Sequence, residues 1–241
     1  MPAEFEGLFG DDYMHFYDGF LTPEVSDRQA HLIANLLDLH PGDRVLDVPC
    51  GYGRITERLA AFGCDMVGVD SSPLFLDRAR RQAPDLDYRE ADMRSLDFAG
   101  EFDAVVNWFT SFGYFDDDTD RAILRSFRAA LKPGGRLLLD HQNRDRVLPL
   151  LGTRMAHVEE RGDDFMIDRS VYDPAAGRTR TERVVVRDGS VRRTRFSVRV
   201  FPFSELRDWL LQAGFAGATA YGAEGEPFGV QSARMIVVAT T

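Results

Sequence analysis

The 241-residue sequence has only two cysteines, Cys50 and Cys64. So few supply neither a disulfide framework nor a zinc site, and a reducing cytoplasm is the expected compartment. No apolar run approaches the roughly 20 residues needed to cross a bilayer, so no membrane partner is expected. The first twenty residues are acidic and lack the basic start of a targeting peptide, so no signal or transit segment is expected there. Basic residues are outnumbered 29 to 39, a formal charge of −10. That balance excludes the cationic footprint of a general nucleic-acid binder. Internal repeats and low-complexity stretches are also lacking. What remains is length enough for one large domain, or one domain plus a cap, able to bury roughly three quarters of its unfolded surface.

The charge is uneven. Residues 1–40 hold eight acids (Glu4, Glu6, Asp11, Asp12, Asp18, Glu24, Asp27 and Asp38) against one base, Arg28. Residues 151–201 hold eleven arginines against eight acids. Two readings stand: two differently solvated faces, or an acidic lid over a cationic ligand with an arginine-lined sheet elsewhere.

Residues 1–20 read as aromatic, acidic and irregular. Thr22-Pro23 signals a helix start, and Val25, Leu32, Ile33, Leu36 and Leu37 follow at helical spacing until His40-Pro41-Gly42. From Arg44 to Asp140, short apolar strands (45–48, 66–69, 86–89, 102–108 and 136–139) alternate with helices (55–62, 73–81 and 118–131). This alternation predicts a parallel sheet with right-handed crossovers. Beyond residue 150 the pattern changes to an antiparallel meander over 155–201, with turn signals at 173–177 and Asp188-Gly189. A helix over 204–213 and a closing antiparallel pair, 216–221 with 235–239, end the chain.

The most informative segment is Val45-Leu46-Asp47-Val48-Pro49-Cys50-Gly51-Tyr52-Gly53-Arg54. A strand runs into a Gly-x-Gly turn and then a helix, which lets backbone approach a ligand closely. The next strand ends at Asp70, where a carboxylate can accept both hydroxyls of a ribose. Such a pairing points to an adenosine-containing ligand. A dinucleotide site commonly has a third glycine and no acid before the turn; here position 56 is Thr and Asp47 precedes the turn. Asp47 would repel a pyrophosphate and suit an ammonium or sulfonium.

Over Arg44–Asp140, and in strand order to the end, the sequence resembles the class I S-adenosylmethionine (SAM) dependent methyltransferases. The loop above resembles the family's first motif, Val67-Gly68-Val69-Asp70 its second, and Glu90-Ala91-Asp92-Met93-Arg94 its third. Residues 102–108 resemble its fourth, and residues 131–140 the turn and strand that follow. The implied fold is α/β: a Rossmann-like, mostly parallel sheet with an antiparallel last strand, an N-terminal helical lid and an inserted β-meander. Its expected divisions are 1–40 (lid and helix), 41–150 (SAM-binding core), 151–202 (inserted sheet, an acceptor wall or dimer face) and 203–241 (closing helix and strands).

The resemblance implies SAM held by Tyr13, Arg28, Asp47, Pro49, Gly51, Gly53, Asp70, Ser71, Asp92, Met93 and Asn107. Asp70 would hold the ribose and Asp92 the adenine amino group, with Met93 against the ring. The fourth motif, Asn107-Trp108-Phe109-Thr110, departs from the Asn-Pro-Pro-Tyr of methyltransferases acting on adenine or glutamine. Residues 111–115 resemble small-molecule N-methyltransferases, amino-sugar enzymes among them, which places Tyr114 and Phe115 against the acceptor together with Tyr17 and His141. Tyr17 and His141 are also the catalytic candidates; no metal is required. The implied reaction is methyl transfer to nitrogen or oxygen of a small molecule, with neither nucleic acid nor membrane as partner and a homodimer possible. Two alternatives stay open: a SAM-binding enzyme of the same fold catalysing cyclisation, and a nicotinamide-dependent oxidoreductase. The arginines of the meander (178, 180, 183, 187, 192, 193, 195 and 199) could contact an anionic acceptor, but most read as solvated charges of edge strands.

Overall fold

The computed structural model describes residues 7–151 and 155–241. Glu4 and Glu6, two acids of the N-terminal run, lie outside them. The alternating segment folds as expected: β1 (Arg44–Asp47), α3 (Thr56–Ala61), β2 (Asp65–Asp70), α4 (Pro73–Gln82), β3 (Asp87–Glu90), β4 (Phe102–Asn107), α5 (Asp117–Ala130) and β5 (Leu131–Gln142). Before it stand α1 (Asp11–Tyr17) and α2 (Pro23–Leu37). After it come α6 (Arg144–Leu151), β6 (Met155–Arg161), β7 (Asp164–Asp173), β8 (Arg178–Arg187), β9 (Ser190–Arg199), α7 (Phe203–Gln212), β10 (Gly217–Tyr221) and β11 (Arg234–Thr240).

Local chemistry starts the helices where expected. Thr22 and Ser72 cap α2 and α4, each with Pro at the first helical position, and Asp116 caps α5 through the Thr119 N–H. Periodicity anticipated neither of two elements. The N-terminal segment it read as irregular contains α1, in the region where the resemblance implied a helical lid, and the apolar Phe16 of α1 packs on Met166 and Val185 of the second sheet. The helix α6 follows β5 directly and carries Pro149 inside it, against the usual rule.

The main sheet has seven strands in the order β10-β11-β5-β4-β1-β2-β3. β1 pairs parallel with both β2 and β4; β11 runs antiparallel between β5 and β10. The expected antiparallel last strand is therefore β11, in the predicted pair. Chain order reverses on either side of β1, and a crevice opens at such a switch point beyond the carboxyl ends of the strands. The core fills both faces: Leu46, Val105, Leu124, Phe127 and Leu139 on one, and Ile33, Val45, Leu59, Val106 and Leu138 on the other. The second sheet, β6-β7-β8-β9, is a continuous antiparallel meander.

The two charge-biased segments meet. Asp12 of α1 takes Arg187 at 3.1 Å and Arg192 at 2.6 Å, His15 contacts Asp164 at 2.9 Å, and Arg161 donates to the His15 carbonyl. The acidic lid is thus docked on the arginine-bearing sheet, so neither reading of two separate surfaces describes it. No helix among the described residues is long and apolar enough to cross a membrane.

Candidate active site

One cavity of about 410 Å³ opens above the ends of β1, β2 and β4, within the range of small-molecule sites. The main sheet gives it a floor, α1 with Leu8 and Phe9 gives it a roof, and the second sheet closes one side.

At the floor, the turn after β1 is held open by glycine geometry. Gly51 has φ +57° and Gly53 φ +82°. A Cβ on Gly53 would sit 2.4 Å from the Tyr88 hydroxyl, so Gly53 serves packing against β3 and does not line the cavity. Pro49, Gly51 and Ser71 do line it.

Two buried carboxylates face this turn. Asp47, 2% exposed, accepts from the Thr56 hydroxyl at 2.6 Å, and burial pushes its pKa up to about 7. Thr56, at the position where a dinucleotide site commonly has a third glycine, thus holds Asp47 in place. Asp70 accepts from the Gly51 N–H at 2.9 Å and the Ser72 N–H at 2.8 Å. Burial pushes it up to about 6 despite those donors. Two buried acids flanking one turn favour a ligand that brings positive charge.

The cation beside them is Arg54, which the sequence reading missed. It lines the cavity, donates to the Gln29 side-chain carbonyl at 2.5 Å and lies over the Phe109 ring at 5.3 Å. Trp108 Nε1 meets the same Gln29 oxygen at 3.1 Å. Arg28 is exposed on α2 and does not line the cavity; the next residue, Gln29, about 100° further round the helix, is the one that meets Arg54 and Trp108. Arg54, the residue just after the Gly-x-Gly turn, was legible by position alone.

Further along, Asp92 and Met93 line the cavity, and Arg94 grips the Asp92 carboxylate at 2.7 Å. Burial pushes Asp92 up, but Arg94 outweighs it and holds the carboxyl below its ordinary value. Asn107 is placed elsewhere. It is fully buried, donates to the Val48 carbonyl at 2.7 Å and ties β4 to the end of β1 without reaching the cavity.

The roof is aromatic. Tyr13 and Tyr17 stack at 4.2 Å, and Tyr17 meets the Phe109 ring edge-on at 6.1 Å. Tyr114 and Phe115 line the cavity as well, with Tyr114 stacked on Phe196 at 6.3 Å. Phe109 and Thr110, both with positive φ (63° and 55°), form the bend after β4. Two such residues in succession are strained, and Asp140 holds them: it accepts from the Phe109 N–H at 2.9 Å and pairs with Arg234, which also reaches the Thr110 hydroxyl at 2.5 Å.

His141 is a correction to the catalytic assignment. It is fully buried, stacks edge-on with Phe201, and does not line the cavity. Burial pulls its pKa down to about 4, so it stays neutral and out of reach. Its neighbour Gln142 lines the cavity instead, because successive β5 residues face opposite sides.

The second sheet contributes residues the sequence reading did not select, together with Arg183, which that reading had named only as one of eight meander arginines. Asp168 and Ser170 on β7, Thr181 and Arg183 on β8, and Phe196 and Val198 on β9 all line the cavity. Their period-two spacing on one face was the available signal. β8 is an inner strand, so Arg183 is no edge charge; it is 5% exposed and grips Asp168 with two nitrogens at 2.8 and 2.7 Å. Arg178 and Arg199 are also engaged, with the Gly113 and Ala176 carbonyls. Among the described residues, no group of three or more His, Cys, Asp or Glu is arranged to hold a metal. Both cysteines are free and buried.

Residues 45–135 match the family model described as a methyltransferase domain. A glycine/sarcosine N-methyltransferase of Parasynechococcus marenigrum is 39% identical over 130 residues, covering 51% of this chain and 46% of that protein. The chain thus spans about half the length of that curated relative. The CcbJ methyltransferase of Streptomyces caelestis superposes with a TM-score of 0.79 at 23% identity, covering 96% of each chain. SAM-bound CalS10, an amino pentose methyltransferase of Micromonospora echinaspora, gives 0.69 at 23% identity, covering 95% of this chain and 96% of that one. Residues 45–135 thus form a methyltransferase domain, and the fold of the whole chain is that of these solved methyltransferases.

Proposed function

We propose that the protein transfers a methyl group from SAM to a nitrogen or oxygen of a small molecule, with an amine as the preferred acceptor. The observation that carries this reading is the pair of buried acids, Asp47 and Asp70, at the ends of adjacent strands and flanking a glycine turn, with a half-buried cation, Arg54, beside them. That donor set matches the charges of SAM: an ammonium and a sulfonium, a carboxylate, and a ribose diol.

Asp47 and the turn at Gly51 would take the ammonium end, and Arg54 the carboxylate. Asp70 would accept from the ribose hydroxyls, with Pro49 and Ser71 alongside, and Asp92 with Met93 would bracket the adenine. Bound SAM supplies an electrophilic methyl on a cationic sulfur. The chain's own task is alignment, which holds donor and acceptor at about 3 Å and can supply roughly 7–11 kcal/mol. Tyr13 and Tyr17, stacked over the cavity, exclude water and offer electron-rich faces to positive charge. An amine needs only to lose a proton to solvent after attack. A hydroxyl acceptor would need a general base, and with His141 out of reach Tyr17 is the candidate.

The relatives support an amine: one is named for glycine and sarcosine, another for an amino pentose. Aromatic walls and scattered hydroxyls suit a small molecule, and the acidic charge disfavours nucleic acid. The free, buried cysteines suit a reducing cytoplasm. The test is incubation with methyl-labelled SAM and a panel of small amines and alcohols. The expected products are S-adenosylhomocysteine and a labelled amine. Release of methylthioadenosine without label transfer would overturn the reading.

A further inference from the structure

Resting on the methyltransferase reading, the geometry points to Arg183 as the residue that selects the acceptor. We infer that its free Nη1 donates to a neutral oxygen, a hydroxyl or carbonyl, carried by the amine being methylated.

The guanidinium is buried inside the cavity, and two of its three nitrogens are spent. Nε and Nη2 hold the Asp168 carboxylate, and Nη2 also donates to the Tyr17 hydroxyl at 3.2 Å. Its carbon lies 5.8 Å from the Tyr17 ring and 5.3 Å from the Phe196 ring, so aromatic faces fix it as well. Nη1 makes no hydrogen bond to any described residue. It is not sealed from water, so an acceptor that displaces that water must replace its hydrogen bond or leave the donor unpaired.

Three further observations set the class of ligand. Asp168 already balances the charge of Arg183, so a second full anion there gains little and a neutral oxygen suffices. Ser170 and Thr181, on the same face of the sheet, hydrogen-bond to each other at 2.9 Å. That bond uses one hydroxyl proton and leaves the other to the cavity. The Gln142 side-chain amide lines the cavity and has no hydrogen-bond partner among the described residues. The cavity wall therefore presents several unspent polar donors beside its aromatic rings. An amine on a bare hydrocarbon ring would bury them unpaired, and a site built this way rejects such a molecule as strongly as it accepts an oxygenated one.

The experiment measures S-adenosylhomocysteine release with three aminodeoxyglucoses, bearing the amine on the second, third or fourth ring carbon, and with cyclohexylamine and glycine. Wild type is expected to prefer at least one sugar over cyclohexylamine, by kcat/KM. Arg183→Met is expected to cut that selectivity about tenfold, as the loss of one such hydrogen bond, while calorimetry shows SAM affinity within about twofold. Because Arg183→Met strands Asp168, Arg183→Lys and the Asp168→Asn/Arg183→Gln pair are measured beside it. All three are checked for melting temperature, and the folded ones are expected to lose the same selectivity. The inference is overturned if folded variants keep wild-type selectivity, or if wild type binds SAM yet turns over none of the sugars. It is equally overturned if glycine is preferred in an Arg183-dependent way, since that assigns the subsite to a carboxylate. A wild-type chain that fails to bind SAM removes the methyltransferase reading itself, a distinct result.

Discussion

The Gly51 backbone N–H donates to the Asp70 carboxylate at 2.9 Å, tying the turn after β1 to the end of β2. The bond sets two groups at once: it fixes the glycine turn at positive φ and aims Asp70 into the cavity. Removing the carboxylate leaves the Gly51 N–H and a ribose hydroxyl without partners. Asp70→Ala is therefore expected to weaken SAM binding by about 1–3 kcal/mol, read by titration calorimetry. Unchanged affinity would remove Asp70 from the ribose.

Arg54 and Arg28 separate two assignments of the SAM carboxylate. Arg54 is half-buried beside the glycine turn and lines the cavity, and Arg28 is exposed on α2. Arg54→Met is expected to raise the SAM dissociation constant more than about tenfold, the loss of a charged hydrogen bond. Arg28→Met is expected to leave it within about twofold. The opposite order would return the role to Arg28.

Asp47 and Asp70 give the ligand-free protein a pH signature. Both pKa values are raised by burial, to about 7 and about 6. A raised folded value means that the protonated acid favours folding. This contribution is fully present below the unfolded value, about 4, and is lost as pH rises through 6 and 7. Asp47→Asn is expected to raise the melting temperature of the ligand-free protein at pH 8 while abolishing SAM binding. SAM affinity of the wild type should rise between pH 5.5 and 7.5, because a cationic ligand holds both acids ionised. A flat profile would contradict the pairing of positive charge with these carboxylates.

The lid is held by charge. Asp12 lies between Arg187 and Arg192, and burial, which pushes its carboxyl up, is outweighed by those two arginines, which hold it below its ordinary value. Partly exposed pairs contribute roughly 0.2–1 kcal/mol each. Asp12→Asn is expected to speed SAM release about two- to fivefold in stopped-flow measurements, and added salt should speed wild-type release in the same direction. An insensitive off-rate would mean that α1 does not gate the cavity.

Tyr17 is expected to matter more for turnover than for SAM affinity. Tyr17→Phe keeps the stack on Tyr13 but loses the hydroxyl that Arg183 contacts. Its kcat should fall with any accepted amine while calorimetry finds SAM affinity nearly unchanged. A fall in affinity with kcat preserved would make the hydroxyl a cofactor contact.

The glycine turn, Asp47, Asp70 and the alternation to Asp140 were legible because they obey local rules: strand periodicity, capping and close backbone approach. Arg183 and Asp168 were not, because their meaning depends on which face of a meander turns inward and on β8 being an inner strand. His141 and Gln142 show the same limit: neighbours on one strand face opposite sides, and only the sheet's placement says which one meets the cavity. α1 was missed because seven residues are too few for a periodic signal; Phe16 docking on Met166 and Val185 supports it from 150 residues away in sequence.

Titration calorimetry of the ligand-free protein against SAM and against NADH tests the central claim most directly. The account predicts a one-to-one SAM complex, lost in Asp70→Ala, and no measurable NADH binding. Tight NADH binding without SAM binding would contradict it.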